Sequence, residues 1–165
     1  GNLTFLRELG FEKNNLEGRI PDDISRLTRM VQLNMEENSF SGVFPRAIYN
    51  LTSLKLLSIL DNSFSGRLRS DFGNLLPNLQ ELAMGGNHFT GAIPETLPNI
   101  STLEKLGIEK NHLTGRIPKS FGNVHNLQIL ALNYNSLGSY SSGDLEFLGA
   151  LSNCSHLHTL LVSKN

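Results

Sequence analysis

The sequence predicts an α/β solenoid built from stacked, similar coils, and three observations support this prediction. Asparagine recurs at intervals of about 24 residues along the 165-residue chain. Apolar residues precede each of these asparagines by eight, five and three positions, and glycine and proline follow most of them. One such repeat cannot bury its own apolar face, so successive repeats are expected to stack and to share a single core.

A short strand is predicted before each of the recurring asparagines. We call these seven residues the ladder asparagines; they are Asn14, Asn38, Asn62, Asn87, Asn111, Asn135 and Asn165. Before Asn62, for example, Leu54, Leu57 and Ile59 provide the apolar frame, and the last two follow the alternation of a half-buried strand. Stacked strands would form a parallel sheet on a concave face, with neighbours about 4.8 Å apart. The asparagine amides are expected to bond backbone groups of adjacent turns.

An irregular or 3-10 segment is expected on the convex side of each repeat. Leucine or phenylalanine stands two positions after the ladder asparagine and predicts a stacked interior spine. Glycine stands four positions after the ladder asparagine, and a pair such as Ile-Pro stands six and seven positions after it. These residues prevent a long regular element. The third repeat has Leu68 and Arg69 at the last two positions, so proline there is preferred but not required.

The complete motif, L-x-x-L-x-L-x-x-N-x-[LF]-x-G-x-[IFL]-P, resembles the plant-specific class of leucine-rich repeat proteins. Residues 64–79 and 137–148 are more specific, and they are similar to ectodomains of plant receptor kinases related to the receptor for bacterial elongation factor Tu. This resemblance implies a right-handed extracellular superhelix joined to one transmembrane helix and a cytoplasmic kinase outside this chain. It also implies a microbial or endogenous peptide or protein ligand and a co-receptor kinase ectodomain.

Residues 1–165 are predicted to form a single array of about seven repeats, and we expect it to be an interior fragment of a longer ectodomain. Plant ectodomains of this type usually end in caps with paired cysteines, whereas Cys154 is the single cysteine here. No kinase signature is present, so this chain is predicted to be non-catalytic. No cofactor and no metal ion are expected.

The charge and the apolar pattern exclude other classes of partner. The net charge is −1, from 14 basic and 15 acidic residues, without the basic excess of a nucleic-acid-binding protein. The apolar segment near Leu54–Leu60 has about seven residues and includes Lys55 and Ser58, so it is far short of the roughly 20 residues that span a bilayer. Any membrane attachment is therefore expected through a helix outside this fragment.

Four Asn-x-Ser/Thr sequons, at Asn2, Asn50, Asn99 and Asn153, are candidate glycosylation sites. Each precedes a ladder asparagine by twelve residues, which places all four on the flank that leads into the concave strand. They predict a secreted chain, and together with the resemblance above this implies a location on the extracellular face of the plasma membrane. The alternative is that Asn-Leu-Thr only belongs to the repeat consensus.

An acidic patch is predicted on the concave face, where side chains six, four and two positions before the ladder asparagine point outward. We define the acidic patch as Glu8, Glu12, Glu36, Glu37, Asp61 and Glu81. Such a surface favours a basic ligand segment. The alternative is a solvated charged face that keeps the solenoid soluble.

An apolar patch is predicted further along the same face, at Ile129, Tyr134 and Leu161. The alternative is that the longer segment after Asn135 folds over these residues. Between the patches, Gly85 is expected to leave the backbone nearly bare. With Gly85 and Lys105 added, the candidate ligand-binding residues are Glu8, Glu12, Glu36, Glu37, Asp61, Glu81, Gly85, Lys105, Ile129, Tyr134 and Leu161.

Three further features are predicted outside the regular frame. Asp144 is expected to cap a short helix from Leu145 to about Leu151, either as a contact site or as an unpartnered convex element. His88 and His112 are expected at adjacent turns, as exposed residues or as a pH-sensitive pair. Cys154 takes an apolar frame position and is expected to be a buried, inert thiol.

Taken together, these patterns favour the ligand-recognition segment of a plant pattern-recognition receptor kinase. The alternative is a secreted leucine-rich repeat inhibitor of a microbial cell-wall-degrading enzyme. An architectural role without a ligand is also open. No constellation of His, Asp, Ser or Cys recurs across the strands in a way that would support catalysis.

Overall fold

The computed structural model describes residues 3–139 and 142–165, and in these ranges thirteen parallel strands alternate between two sheets. The first sheet consists of the odd-numbered strands β1 (Glu8–Gly10), β3 (Gln32–Asn34), β5 (Leu56–Ser58), β7 (Glu81–Ala83), β9 (Lys105–Gly107), β11 (Ile129–Ala131) and β13 (Thr159–Leu161). The second sheet consists of β2 (Glu17–Gly18), β4 (Ser39–Val43), β6 (Ser63–Arg67), β8 (His88–Ala92), β10 (His112–Gly115) and β12 (Ser136–Leu137). Each of the first six repeats thus contributes one strand to each sheet, and the seventh contributes β13 to the first sheet.

The first sheet is the predicted concave sheet, and its register follows the repeat. Leu33 pairs with Leu57, and Leu82 pairs with Leu106, so the same frame position is aligned from strand to strand. These leucines are fully buried, whereas their strand neighbours face outward. The fold prediction of a leucine-rich solenoid with parallel concave strands is therefore confirmed.

The second sheet was not predicted, because the residues after each ladder asparagine have no strong strand signal. In β6, Phe64 is buried between exposed Ser63 and half-buried Ser65, which is the alternation of a half-buried strand. Gly66 has φ 88°, a left-handed value that favours glycine and that recurs at the same position of other repeats. Glycine here turns the chain out of the strand toward the convex side.

The ladder asparagines join successive repeats, as predicted. Asn62 Nδ2 donates to the Met35 carbonyl at 2.9 Å, and Asn62 Oδ1 accepts from the Phe40 N–H at 3.0 Å. Both partners belong to the preceding repeat, and equivalent bonds recur from Asn38 to Asn165. The amides thereby satisfy backbone groups that the turns would otherwise leave unpaired.

The convex side carries short helices, as expected. Helix α1 spans Phe72–Leu75, α2 spans Glu146–Leu151, and 3-10 helices span Asp22–Arg26, Arg46–Asn50, Leu97–Asn99 and Lys119–Asn123. In the third repeat, Arg69 takes the place of proline and forms a two-point ion pair with Asp71, at 2.7 and 2.8 Å. The Arg69 guanidinium also lies 5.4 Å from the centre of the Tyr49 ring.

A continuous apolar core lies between the sheets and the convex helices. The frame residues are buried through the middle repeats and partly buried in the first and last ones. The predicted spine two positions after the ladder asparagines is present, with the ring centres of buried Phe40 and Phe64 6.4 Å apart. The ring of Phe11, a frame residue of the first strand, also lies 6.4 Å from that of Phe40. Cys154 is buried as expected; its thiol donates to the Phe121 carbonyl at 3.3 Å, and burial raises its pKa.

The prediction that Asp144 caps the inserted helix is wrong. The residue before α2 is Leu145, and no side chain caps the helix. The Asp144 carboxylate instead accepts bonds from the N–H and the hydroxyl of Ser139, at 3.0 and 2.6 Å, and so closes the loop. The helix itself packs against the 3-10 helix Lys119–Asn123 on the convex side. None of the helices in the described ranges has the length and apolarity to cross a membrane.

Candidate ligand-binding face

The concave sheet presents its outward side chains in aligned columns. Glu8 pairs with Gln32 in register, and the series continues through Leu56 and Glu81 to Lys105. Because strand pairing fixes only the backbone, the residue type in each column is free to differ between repeats. The candidate residues therefore lie on one wall, in the order that the sequence predicts.

The carboxylates at the N-terminal end of this wall are mostly exposed. Glu8 and Glu12 have no carboxylate-to-cation ion pair among the described residues. Glu36 Oε2 accepts a hydrogen bond from Ser58 Oγ at 3.1 Å. Glu37 lies 3.5 Å from Lys13, but both side chains are more than half exposed, so the pair neutralises the patch only weakly.

The position before each ladder asparagine has a left-handed backbone, which the sequence did not reveal. Among the non-glycine residues this conformation occurs at Lys13, Glu37, Asp61, Lys110, Tyr134 and Lys164, with φ between 48° and 57°. These residues rarely adopt such values, so the surrounding bonds of the turn must hold them there. The conformation places Glu37, Asp61 and Tyr134 at the rim of the wall.

The expectation of bare backbone at Gly85 is wrong. Gly85 is buried, and a methyl group added to it would lie 2.6 Å from Glu109 Oε1. At the following residue, Gly86, an added methyl would lie 2.0 Å from Asp61 Oδ1. Carboxylates from the neighbouring repeats thus cover the two glycines, and the acidic surface extends toward the middle of the wall.

Glu81 and Lys105 form an ion pair across adjacent strands. Lys105 Nζ lies 3.2 Å from Glu81 Oε2, and both side chains are partly exposed. Lys105 therefore partly neutralises Glu81, and the pair lies between the rest of the acidic patch and the apolar patch.

The apolar patch is exposed at two of its three residues. Tyr134 is 45% exposed and Leu161 is 47% exposed, while Ile129 is only partly accessible. Lys164 Nζ lies 4.7 Å from the centre of the Tyr134 ring, which is a cation–π contact. The described part of the inserted segment packs on the convex side, so it leaves Tyr134 and Leu161 uncovered.

Two acceptor atoms on the wall were missed by the sequence analysis. Glu109 Oε2 and Asn133 Oδ1 are buried and have no hydrogen-bond partner among the described residues. They belong to adjacent repeats and to the same column, two positions before the ladder asparagine. Their shared position two residues before the ladder asparagine could have identified them. The neighbouring glycines were a second signal, because they allow the Glu109 side chain to lie against the sheet.

The sequons lie away from this wall. Asn50 and Asn99 end 3-10 helices and Asn153 follows α2, and all three are exposed. Asn2 lies outside the described residues. A glycan at any of the three described positions would leave the concave face accessible.

The histidine pair stacks as expected but does not form a metal site. The rings of His88 and His112 lie 5.9 Å apart and are nearly parallel, at 10°. Over residues 3–139 and 142–165, no group of three or more His, Cys, Asp or Glu is arranged to hold a metal ion.

The Leucine Rich Repeat family model matches this chain at residues 5–27, 78–100 and 102–124. The ladder asparagines and the parallel sheets continue the same repeat between and beyond those matches. The chain is therefore a leucine-rich repeat solenoid.

Its curated relatives are plant receptor kinases. Over 98 residues, or 59% of this chain, it is 65% identical to a receptor-like protein kinase of Arabidopsis thaliana. It is 56% identical, again over 98 residues, to the LRR receptor-like serine/threonine-protein kinase EFR of the same plant. Each match covers 10% of the relative, so the 98 matched residues span about a tenth of the length of these proteins.

Solved structures show the same relationship. The ectodomain of the Arabidopsis thaliana receptor kinase GASSHO1/SCHENGEN3, in complex with CASPARIAN STRIP INTEGRITY FACTOR 2, has a TM-score of 0.88 at 36% identity, over 99% of this chain and 19% of that one. The Arabidopsis receptor kinase HAESA ectodomain, in complex with an IDA peptide hormone ligand, has a TM-score of 0.83 at 28% identity, over 94% and 26%. The resemblance to ectodomains of plant leucine-rich repeat receptor kinases, with EFR among the relatives, is confirmed.

Proposed function

We propose that this chain is the extracellular ligand-recognition segment of a plant pattern-recognition receptor kinase. It would bind a peptide or protein ligand on the concave wall and signal through a kinase outside the chain. The main observation in support is that one wall places exposed carboxylates at one end and exposed apolar side chains at the other. The peptide ligands named for two structural neighbours support the same kind of ligand.

The two patches would bind one extended segment. From Glu36 in the second repeat to Tyr134 in the sixth, four strand spacings separate the patches, or about 19 Å. An extended peptide of about six residues covers that distance. Its basic side chains would meet the acidic patch, and an apolar or aromatic side chain would pack against Tyr134 and Leu161.

The cellular setting is part of the proposal. The relatives are receptor kinases, which supports a place at the extracellular face of the plasma membrane and favours a receptor over a secreted inhibitor. The chain would be one section of a longer array of repeats. Glycans would be carried at Asn2, Asn50, Asn99 and Asn153. A co-receptor kinase ectodomain would join after a microbial or endogenous ligand has bound.

Charge reversal in the acidic patch tests the proposal. In Glu36→Lys with Glu37→Lys, binding of a fluorescent hexalysine peptide should weaken at least about tenfold at low salt, because attraction becomes repulsion. The dependence of binding on salt should also become flatter. Fluorescence anisotropy over a salt series provides the measurement.

A matched control separates the patch from the overall charge. Asp22→Lys with Asp23→Lys makes the same change in net charge on the exposed convex helix Asp22–Arg26. Binding to this variant should stay within about twofold of the original affinity. Equal losses in both double variants, or unchanged binding in Glu36→Lys with Glu37→Lys, would remove the acidic patch from the proposed site.

A further inference from the structure

A cluster of cations lies beside the acidic patch, on the flank of the first three repeats. Arg7, Arg29 and Lys55 line one open cavity of about 540 Å³, together with Phe5 and Asn78 among other residues. We call the three cations and this cavity the basic pocket. All three cationic side chains are exposed, so they are available to a ligand.

The backbone fixes the arrangement of the three cations. The Val31 N–H donates to the Arg7 carbonyl at 2.7 Å, and the Lys55 N–H donates to the Val31 carbonyl at 2.8 Å. Arg7 and Lys55 are therefore aligned two repeats apart, or about 10 Å. Arg29 comes from the repeat between them, and its guanidinium lies 4.6 Å from the centre of the Phe5 ring. The aromatic contact restrains Arg29 beside the cavity.

None of these three cations forms an ion pair with a carboxylate in the described ranges. Other cations of the same wall do form ion pairs, since Lys13 pairs with Glu37 and Lys105 with Glu81. Three like charges around one cavity repel one another, and an anion placed between them removes that cost. Two guanidinium groups also provide the planar donors that suit a carboxylate.

We infer that the basic pocket binds carboxylate side chains of an acidic segment in the same polypeptide ligand; this rests on the proposed function. The pocket and the acidic patch lie side by side along the strands of the same repeats. The acidic patch begins beside Arg7, at Glu8, and from Arg7 to Glu12 the chain advances five residues, or at most about 16 Å when extended. A ligand with an acidic segment and a basic segment about five residues apart would contact both surfaces, and this charge order sets the direction in which that part of the ligand runs along the strands.

Defined peptides test the inference on the purified chain. The bipolar probe has three glutamates, a Gly-Ser-Gly-Ser linker and three lysines, and its control has the same residues with the charges alternating. The bipolar peptide should bind at least about tenfold tighter than the alternating one at low salt. The variant Arg7→Gln, Arg29→Gln, Lys55→Gln should remove this preference and leave hexalysine binding undiminished.

A second triple variant controls for the loss of positive charge. Arg19→Gln, Arg46→Gln, Arg67→Gln removes three exposed cations outside the basic pocket. It should keep the preference for the bipolar peptide within about twofold. Circular dichroism spectra and unfolding midpoints of both variants should match those of the original chain, because all six side chains are exposed.

The outcomes distinguish this inference from the proposed function. Equal affinity for the two peptides, or an undiminished preference in the first triple variant, overturns the basic pocket while hexalysine still reports on the acidic patch. Loss of hexalysine binding only in Glu36→Lys with Glu37→Lys upholds the proposed function alone. Inorganic sulfate or phosphate that binds the pocket when a hexaglutamate peptide does not would replace the polypeptide assignment with a small oxyanion.

Discussion

The convex and concave sides of this solenoid hold their glycines for different reasons. On the convex side, a methyl group added to Gly73 would lie 1.7 Å from the Thr96 carbonyl oxygen, and one added to Gly122 would lie 2.4 Å from that of Ala150. These contacts are with backbone atoms that neighbouring turns hold in place. Close approach between repeats thus requires glycine there, as in other tightly packed cores.

On the concave side, the nearest neighbours of the glycines are the ends of flexible side chains. A methyl group added to Gly107 would lie 3.0 Å from Glu109 Oε2, and one added to Gly10 would lie 2.6 Å from Glu12 Oε2. A carboxylate can rotate away, whereas a carbonyl in a packed turn cannot. Substitutions of these concave glycines should therefore cost less stability than substitutions of the convex ones.

The largest effect is expected for Gly73→Ala. Because the new methyl group would overlap backbone, the free energy of unfolding should fall by about 4 kcal/mol, above the usual cost of overpacking. Urea denaturation monitored by circular dichroism measures the change. Gly149→Ala in α2 meets no atom within 4 Å and should instead stabilise the chain by about 0.5 kcal/mol, through helix propensity.

The concave counterpart of this test is Gly107→Ala. Its cost should stay below about 1 kcal/mol, because only the Glu109 carboxylate has to move. A loss as large as that of Gly73→Ala would contradict the distinction between the two sides. An unchanged free energy of unfolding in Gly73→Ala would also contradict this distinction, because it would show that the convex glycine is not required.

The same contrast explains how much the sequence could predict. The core, the concave strands and the ladder amides occupy the same positions in every repeat. The structural role of Asn62 or Leu57 could therefore be predicted from the repeat pattern alone. The second sheet could not, because Ser63 to Arg67 has Phe64 as its single buried apolar residue and contains glycine, so its local strand signal is weak. Its pairing with the neighbouring strands depends on the stacked repeats more than on local propensity.

Flexible side chains and competing partners account for the remaining differences. Asp144 stands where a helix cap is expected, yet its carboxylate accepts bonds from the N–H and the hydroxyl of Ser139. Glu109 leans over Gly85 of the preceding repeat, a direction that the sequence pattern does not encode. The column of each concave residue was predictable, whereas the contacts made by its side chain were not.

Two asparagines extend the comparison to polar groups. Asn87 is 3% exposed and joins two repeats through the Ile59 carbonyl, at 2.8 Å, and the Phe64 N–H, at 3.0 Å. Asn87→Ala should lower the free energy of unfolding by about 3 kcal/mol, because it leaves buried backbone groups unpaired. Asn133→Ala on the concave face should cost less than about 0.5 kcal/mol, since its amide oxygen has no partner among the described residues. Equal costs in urea denaturation would show that the ladder is no more important than the wall.

The buried Tyr49 on the convex side should make the stability of the fold depend on pH. Its ring is buried against Phe44 and Phe72, with ring centres 5.3 and 5.4 Å apart. Burial raises the pKa of Tyr49 from 10.0 to about 12, although the backbone and the charge of Arg69 act in the opposite direction. The folded chain therefore holds the phenol proton more tightly than the unfolded chain does.

The smallest of the three main losses of stability, after those of Gly73→Ala and Asn87→Ala, follows from this raised pKa. The contribution of Tyr49 is complete below the unfolded pKa, near 10, and is lost as the pH rises through the folded pKa, near 12. At roughly 1.4 kcal/mol per pKa unit, the loss amounts to about 2 to 3 kcal/mol. The measurement compares free energies of unfolding in urea from about pH 9 to pH 12 for the original chain and for Tyr49→Phe. This comparison separates the contribution of Tyr49 from those of other titrating groups. The free energy of unfolding of the original chain, relative to that of Tyr49→Phe, should fall by this amount over that range. A constant difference would mean that Tyr49 has the same pKa in the folded and the unfolded chain.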